Sequence, residues 1–399
     1  MTPAARVQAA AELLDAIRAG QRAEAALTAW GRRARYAGSG DRAAVRDLVY
    51  DALRRRRSYA ARGGGESGRA LMLGRLRARG EAPEAVFTGA RHAPAALTEA
   101  ERAAGRAPAG AEALDLPDWL AAAFRESFGP EEAEAAALAL RDRAPVHLRA
   151  NLLRTDRAGA AEALAAEGIA TRPVATAATA LEVTEGARRV ARSRAFAEGL
   201  VELQDAASQA VVAALPLAPG ARVLDFCAGG GGKTLALAAR LGRPVAAHDA
   251  LPRRLADLPA RAARAGAEVE ILPEPEAAAP FDLVLCDAPC SGSGSWRRDP
   301  EAKWRLSPAR LDELAATQDA ILDRAAALVA PGGHLAYATC SLLGPENDAR
   351  IAAFRARGPG WRVVETRRWR PGPEGDGFYL CVLKGALRAI KATQGCFSA

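Results

Sequence analysis

Two short stretches of the chain set cysteines where a reactive group would be useful. Asp287-Ala288-Pro289-Cys290-Ser291-Gly292 follows the apolar run from Phe281, and Ala338-Thr339-Cys340-Ser341 closes the run from His334. Short apolar runs bounded by turn residues read as buried strands, so both cysteines fall at the carboxyl ends of strands, the fourth and fifth of their series. A lone cysteine there is ordinarily a small buried hydrophobe. Two at neighbouring strand ends, one of them three residues after an aspartate, read instead as a catalytic pair. Their chemistry is nucleophilic: the thiolate reacts, and with a free-thiol pKa of about 8.5 the site must favour ionisation. Cys227, Cys286 and Cys381 lie in predicted strands and are assigned to packing. With six cysteines in 399 residues and no metal-ligand spacing, neither a disulfide framework nor a zinc site is expected.

The second chemical feature is the run Asp225-Phe226-Cys227-Ala228-Gly229-Gly230-Gly231-Gly232-Lys233-Thr234, between a predicted strand and a predicted helix. Glycine lets a ligand approach the backbone, and the helix start offers free N–H groups. Three ligands compete for such a loop. A phosphate-binding P-loop would end in Gly232-Lys233-Thr234, with Asp287 as the magnesium ligand, but it needs glycine where Cys227 stands. A dinucleotide fingerprint uses Gly229 and Gly231 but meets Thr234 at its third position. S-adenosylmethionine needs the loop for its methionine end and an acid at the end of the second strand for its ribose. Asp249 occupies that place, where it would otherwise cap the next helix. Neighbouring His248 reads as a packing residue.

These groups must be carried by a sheet, and the pattern supplies one. From Gly220 to Lys384 apolar strands alternate with helices: ARVLDFC, KTLALAARL, PVAAHD, PRRLADLPARAARAG, VEIL, FDLVLCD, PARLDELAATQDAILDRAAALV, HLAYATCS, ENDARIAAFRAR and GFYLCVLK. Such alternation predicts an open, mostly parallel sheet covered on both faces. Residues 1 to about 130 read as helical throughout, with Asp41 as an N-cap, Val45, Leu48, Val49 and Leu53 on one buried stripe, and Arg54 to Arg57 at the carboxyl end. Between them, VHLRANLL, a helical AGAAEALAAEG and short apolar pieces around Leu181 to Val183 suggest a small βαβ unit.

Composition narrows the class. Half of the residues are hydrophobic and 26% charged, as in globular proteins, which excludes a disordered or collagenous chain. No charge-free apolar run is long enough to span a membrane. Arg6, Glu12 and Asp15 interrupt the N-terminal apolar residues, so no secretory signal is read and the cytoplasm is expected. The net charge of +8 favours a polyanionic partner. Residues 1–60 hold twelve arginines against six acids, which is either an RNA-contacting surface or a solvated helical face in an Arg-biased, Ala-rich protein.

Taken in order, these blocks resemble the Sun (RsmB-like) RNA cytosine-C5 methyltransferases, which include the nucleolar Nop-type enzymes. The resemblance runs from Val146 to Lys384 through Arg149-Ala150-Asn151, Gln204-Asp205-Ala206-Ala207-Ser208-Gln209, the glycine loop, Asp287 to Gly292, Lys303-Trp304, Thr339-Cys340-Ser341 with Glu346-Asn347, and Asp376-Gly377-Phe378. Asp41-Arg42, Leu48-Val49-Tyr50 and Leu53-Arg54 are similar to the NusB-like RNA-binding domain of the bacterial members. There are two departures. The family's Ala-Pro in the loop is Gly229-Gly230 here, and its Gly-Asp after the third strand is replaced by Leu272 running into Pro273-Glu274-Pro275-Glu276.

The resemblance implies an α/β fold: a Rossmann-like S-adenosylmethionine-dependent methyltransferase domain over 206–385, an all-helical NusB-like domain over 1–135, a small α+β linking subdomain over 136–205, and a tail over 386–399. It implies S-adenosylmethionine as cofactor, held by Cys227, Ala228, Gly229, Gly230, Gly231, Gly232, Lys233, Asp249, Arg254, Asp287 and Pro289. It also implies Cys340 as nucleophile at cytosine C6, Cys290 as the group assisting release, Asp287 on the base edge and Lys233 near the base or the cofactor carboxylate. Cytosine C5 is too weak a nucleophile to take a methyl unaided, and thiolate addition at C6 supplies the electron density it lacks. DNA cytosine methyltransferases use a Pro-Cys nucleophile instead, so motifs alone leave the two roles exchangeable. The expected partner is small-subunit ribosomal RNA, no membrane partner is expected, and the chain is expected to act as a monomer. A P-loop ATPase and a noncatalytic RNA-binding assembly factor are the alternatives from other classes.

Overall fold

The computed structural model describes residues 1–386; the expected tail lies, but for its first residue, outside them. The chain divides into two compact units. One is Met1–Arg143 together with Ser295–Leu306, and the other is Ala144–Gly294 together with Ser307 onward. The first unit is helical, as expected, but it also takes in a stretch that follows the Cys290 loop in sequence.

In that helical unit the principal helices are Pro3–Arg18, Ala23–Arg33, Ser39–Arg54, Arg56–Gly63, Gly68–Ala78, Asp118–Phe128 and Pro130–Ala139. The inward stripes of the first five, among them Val7, Leu13, Leu27, Val45, Val49, Met72 and Leu76, make one core. Two sequence expectations shift. Asp41 is not the N-cap; the helix begins at Ser39 after Gly38, and Asp41 sits in its first turn accepting from the Gly38 N–H at 3.3 Å. The Arg54–Arg57 run does not crown one helix end, because the helix stops at Arg54 and another begins at Arg56.

The second unit holds two sheets. The smaller has strands β1 (His147–Ala150), β2 (Thr171–Pro173), β3 (Ala180–Val183) and β4 (Val201–Leu203) in the order β2-β3-β1-β4. β1 and β2 both pair antiparallel with β3, so the expected βαβ unit is a split one, its helix Arg157–Ala166 starting at the Asp156 cap.

The larger sheet has β5 (Val223–Asp225), β6 (Val245–Ala247), β7 (Val269–Ile271), β8 (Phe281–Asp287), β9 (Val329–Thr339), β10 (Arg362–Trp369) and β11 (Phe378–Lys384), ordered β10-β11-β9-β8-β5-β6-β7. β5 to β9 are parallel; β11 and β10 run antiparallel to their neighbours. Alternate residues face opposite layers. Val223, Leu283, Leu285, Ala336 and Leu380 pack with Val211, Val212 and Leu237 of helices Ala206–Ala213 and Gly232–Leu241. Leu224, Val284, Cys286, Tyr337 and Tyr379 pack with Leu322, Ala325, Ile351 and Phe354 of helices Pro308–Ala326 and Asp348–Arg357. Burial on both faces is why these strands read as continuous apolar runs. The strand order reverses between β5 and β8, the crevice where such sheets hold ligands.

Candidate active site

The glycine loop leaves β5 and turns into helix Gly232–Leu241. Gly231 has a φ of +81°, and a β-carbon there would meet Leu258 Cδ1 at 2.2 Å, so only glycine fits. The loop is tied down at every step. Gly229 N–H donates to Asp249 Oδ2 at 2.9 Å and Ala228 N–H to the His248 carbonyl at 2.9 Å. The Gly230 carbonyl accepts from Arg261, and the Gly232 carbonyl accepts from Arg149 at 2.7 Å. Arg149 is completely buried on β1, its guanidinium also bonded to Gln204, and burial pulls its pKa down to about 10.

Asp225 ends β5 with no exposure. Thr234 Oγ1 donates to its Oδ2 at 2.7 Å, whereas its Oδ1 has no hydrogen-bond partner. Burial pushes this carboxyl up to about 7, against the pull of the Thr234 bond. Asp249, after β6, accepts at Oδ1 from the Leu251 N–H at 2.9 Å and lies 3.5 Å from the half-exposed Arg254. It therefore caps the next turn and also closes the glycine loop. The His248 ring lies tilted against Phe226, centroids 5.1 Å apart, and bonds the Leu272 carbonyl, a packing position. Glu276, beyond β7, is exposed and bonded to Arg324. Cys227 lies past the strand end rather than within it, and its side chain packs into the core beneath the sheet.

A sulfonium nucleoside carries an ammonium, a carboxylate and a ribose diol. The close-approach loop, a helix N-terminus, a buried carboxylate with an unused oxygen and Asp249 make a donor and acceptor set that fits it. S-adenosylmethionine supplies an electrophilic methyl group when bound there.

Beside this loop, Lys233 Nζ donates to Asp287 Oδ2 at 2.7 Å and lies 4.9 Å from the Phe378 ring centroid. Burial opposes its charge, but Asp287 outweighs burial and holds the Lys233 pKa above its ordinary value, with Cys340 acting in the same direction. The register sets Asp287 opposite Ala338, so the loops after β8 and β9 emerge side by side. Cys290 Sγ and Cys340 Sγ are 3.5 Å apart, both partly accessible. The bond to Cys340 and then burial push the Cys290 thiol well above its ordinary value. Burial does the same to Cys286 and Cys381 inside the core.

Of the expected residues, the structure thus gathers Cys290, Cys340, Asp287 and Lys233 in one group, and Ala228 to Gly232 with Asp249 in an adjoining loop. Arg254 stands at the rim, and the Pro289 carbonyl is occupied by Gln318. Sequence reasoning gave no role to Arg149, Gln204, Gln318 or Glu346, whose partners are distant in sequence. The blocks Arg149-Ala150-Asn151, Gln204-Asp205 and Glu346-Asn347 were the available signal.

Residues 212–379 match the profile of the family described as 16S rRNA methyltransferase RsmB/F, and residues 116–190 match the RsmF/B-like ferredoxin-like domain. A probable ribosomal RNA small subunit methyltransferase B of Synechocystis sp. is 32% identical over 304 residues, 69% of this chain and 68% of that protein. The chain belongs to the RsmB/F family. This is a family of S-adenosylmethionine-dependent rRNA methyltransferases. The ribosomal RNA small subunit methyltransferase B of Vibrio vulnificus is 33% identical over 282 residues, 67% of this chain and 66% of its own length. This RsmB/F chain therefore spans about two thirds of the relatives it matches. The crystal structure of PH0851 shares the RsmB/F chain's fold, with a TM-score of 0.74 over 96% of this chain and 99% of that one at 23% identity. Among the described residues, no helix is long and apolar enough to cross a membrane.

Proposed function

We propose that the chain methylates C5 of a cytosine in small-subunit ribosomal RNA through a covalent adduct between Cys340 and C6, acting as a cytoplasmic monomer. The observation that carries this is the pair of sulfurs 3.5 Å apart at adjacent strand ends, beside the Lys233–Asp287 pair. The Lys233 charge and the Cys340 thiolate stabilise one another, and Cys290 offers its proton to the Cys340 sulfur. Cys340 adds to C6. Asp287 accepts from the amino group of the base and orients it, and the Lys233 ammonium bonded to Asp287 offsets the negative charge that addition places on the ring. Once its sulfur is bonded to carbon, Cys340 no longer holds the Cys290 proton, which removes the largest cause of the raised Cys290 pKa. With the methyl group on C5, Cys290 gives that proton to water and its thiolate takes the proton remaining on C5. The C–H electron pair re-forms the C5–C6 double bond as the C6–sulfur bond breaks and Cys340 leaves as the thiolate. The target base must leave its stack, which costs on the order of a few kcal/mol and least in a loop. The arginine-rich helical unit supplies backbone contacts that offset this cost.

The test is a denaturing gel of each cysteine variant incubated with unmodified 16S ribosomal RNA and S-adenosylmethionine, followed by peptide mapping. Cys340→Ala should neither methylate nor crosslink. Cys290→Ala should methylate once and accumulate a denaturation-resistant complex through Cys340. An adduct in Cys340→Ala but not in Cys290→Ala would exchange the roles, and full activity in both would return the pair to packing.

A further inference from the structure

Between the two cysteine loops lies a carboxylate that the steps above do not use. Glu346 is completely buried, just before helix Asp348–Arg357. From the Cys290 loop it accepts the Ser291 N–H at Oε1, 2.8 Å away, and the Ser291 hydroxyl at Oε2. From the Cys340 loop it accepts the Ser341 hydroxyl, also at Oε2. Gln318, on helix Pro308–Ala326, donates to Oε1 at 3.2 Å and to the Pro289 carbonyl at 2.9 Å, so the residue just before Cys290 is held through the same amide. Tyr337 fixes the Glu346 carbonyl from β9 at 2.7 Å. Adjacent Asn347 accepts from Thr339 at 2.6 Å and donates to the Ser341 carbonyl at 2.9 Å.

We propose that Glu346 is a positioning residue that clamps the Cys290 and Cys340 loops together and so fixes the spacing of the two sulfurs. Every donor to its carboxylate is neutral, and no cation pairs with it among the described residues. A buried anion held only by neutral donors is a costly way merely to tie loops, since a neutral side chain would serve. Its charge has an effect at the site, for it is among the causes that keep the Cys290 thiol protonated. The carboxylate reaches Ser291 and Ser341, each directly after a cysteine, so a small shift of Glu346 moves both sulfurs. The inference rests on the two-cysteine reading above.

Three variants of the full chain test it. Glu346→Gln keeps the shape but presents an amino group to a site built from donors. It should lower turnover on unmodified 16S ribosomal RNA by about thirtyfold to a hundredfold, the size expected of a displacement near 1 Å, with the KM for S-adenosylmethionine within about twofold of wild type. In the free protein, iodoacetamide labelling read by peptide mapping should show Cys290 titrating at lower pH in this variant. Glu346→Asp keeps the charge on a stem one methylene shorter; it should restore the Cys290 labelling profile but not the turnover. Ser291→Ala combined with Ser341→Ala leaves the carboxylate intact and should cost roughly tenfold in turnover by the same displacement argument. Turnover of Glu346→Gln within about threefold of wild type, a scale too small for any such displacement, would overturn the proposal. So would a fall in turnover matched by equal falls in cofactor affinity and melting temperature. Failure of the two-cysteine reading looks different: Cys290→Ala would then accumulate no adduct through Cys340, whatever the labelling profiles of the Glu346 variants.

Discussion

Lys233 and Lys303 are both shut away from water, at 6% and 1% exposure, and they behave in opposite ways. Lys233, at the glycine loop, has a carboxylate 2.7 Å away and keeps its charge more firmly than a lysine in water. Lys303 belongs to the helical unit. Its ammonium donates to the Arg54 carbonyl at 3.0 Å and lies 4.7 Å from the Trp304 ring. Burial pulls its pKa down to about 7, opposed by Asp115 and reinforced by Arg141, Arg54 and Arg55. Desolvation is alike at the two sites; only a counter-ion at hydrogen-bond distance separates a charge ready for chemistry from one the fold tolerates.

The largest effect should come from breaking the paired case. Lys233→Met leaves Asp287 without its cation and should cut single-turnover methylation by about a hundredfold to a thousandfold, as for loss of one preorganised charge contact. A loss under tenfold would put Lys233 on the same footing as Lys303. The contrast extends to carboxylates through Asp249, which is buried but fully engaged. Asp249→Ala should raise the calorimetric dissociation constant for S-adenosylmethionine about tenfold to a hundredfold, the value of a charged hydrogen bond, while RNA affinity stays nearly unchanged. Unchanged cofactor affinity would leave Asp249 as the cap of the turn at Leu251 and the latch of the loop.

The smallest effect, on stability alone, belongs to Lys303. Its folded pKa of about 7 lies below the ordinary 10.5, so between those values the unfolded chain binds the extra proton and stability rises with pH. Below pH 7 the amine is charged in both states and the full cost of its burial is present. Lys303→Met should remove the rising limb in urea titrations between pH 7 and 10, and at pH 7 it should stabilise the helical unit by about 1–4 kcal/mol. A limb that persists in this variant would show that another group carries it.

What could be read from the chain follows from the range of the forces involved. β8 and β9 were legible because Phe281–Asp287 and His334–Thr339 are apolar on both faces, and that pattern is local; the positions of Cys290 and Cys340 came with them. β10 was not read as a strand. It is an edge strand whose Arg362, Glu365, Arg367 and Arg368 face solvent or are half exposed, and whose pairing comes from β11 rather than from its own pattern. The Asp41 helix was legible in kind but not at its start, since glycine capped it where an acid was available. Glu346 was visible only as part of a block. Its partners Gln318 and Ser291 lie 28 and 55 residues away, and no local pattern encodes such a contact.

The stretch Ser295–Leu306 has a consequence for anyone who would take the protein apart. It leaves the α/β unit directly after the Cys290 loop, and its Trp296 stacks on Phe124 while Trp304 Nε1 donates to the Leu53 carbonyl at 2.7 Å. Its Glu301 accepts from the Ala23 N–H at 2.9 Å. The helical module is thus written in two places in the gene. Exchanging it with that of a relative requires two grafts, residues 1–143 and residues 295–306, made together. A single junction near residue 143 would leave residues 295–306 of one parent packed in the helical unit of the other, and the resulting chimera would lose activity for reasons unrelated to RNA recognition.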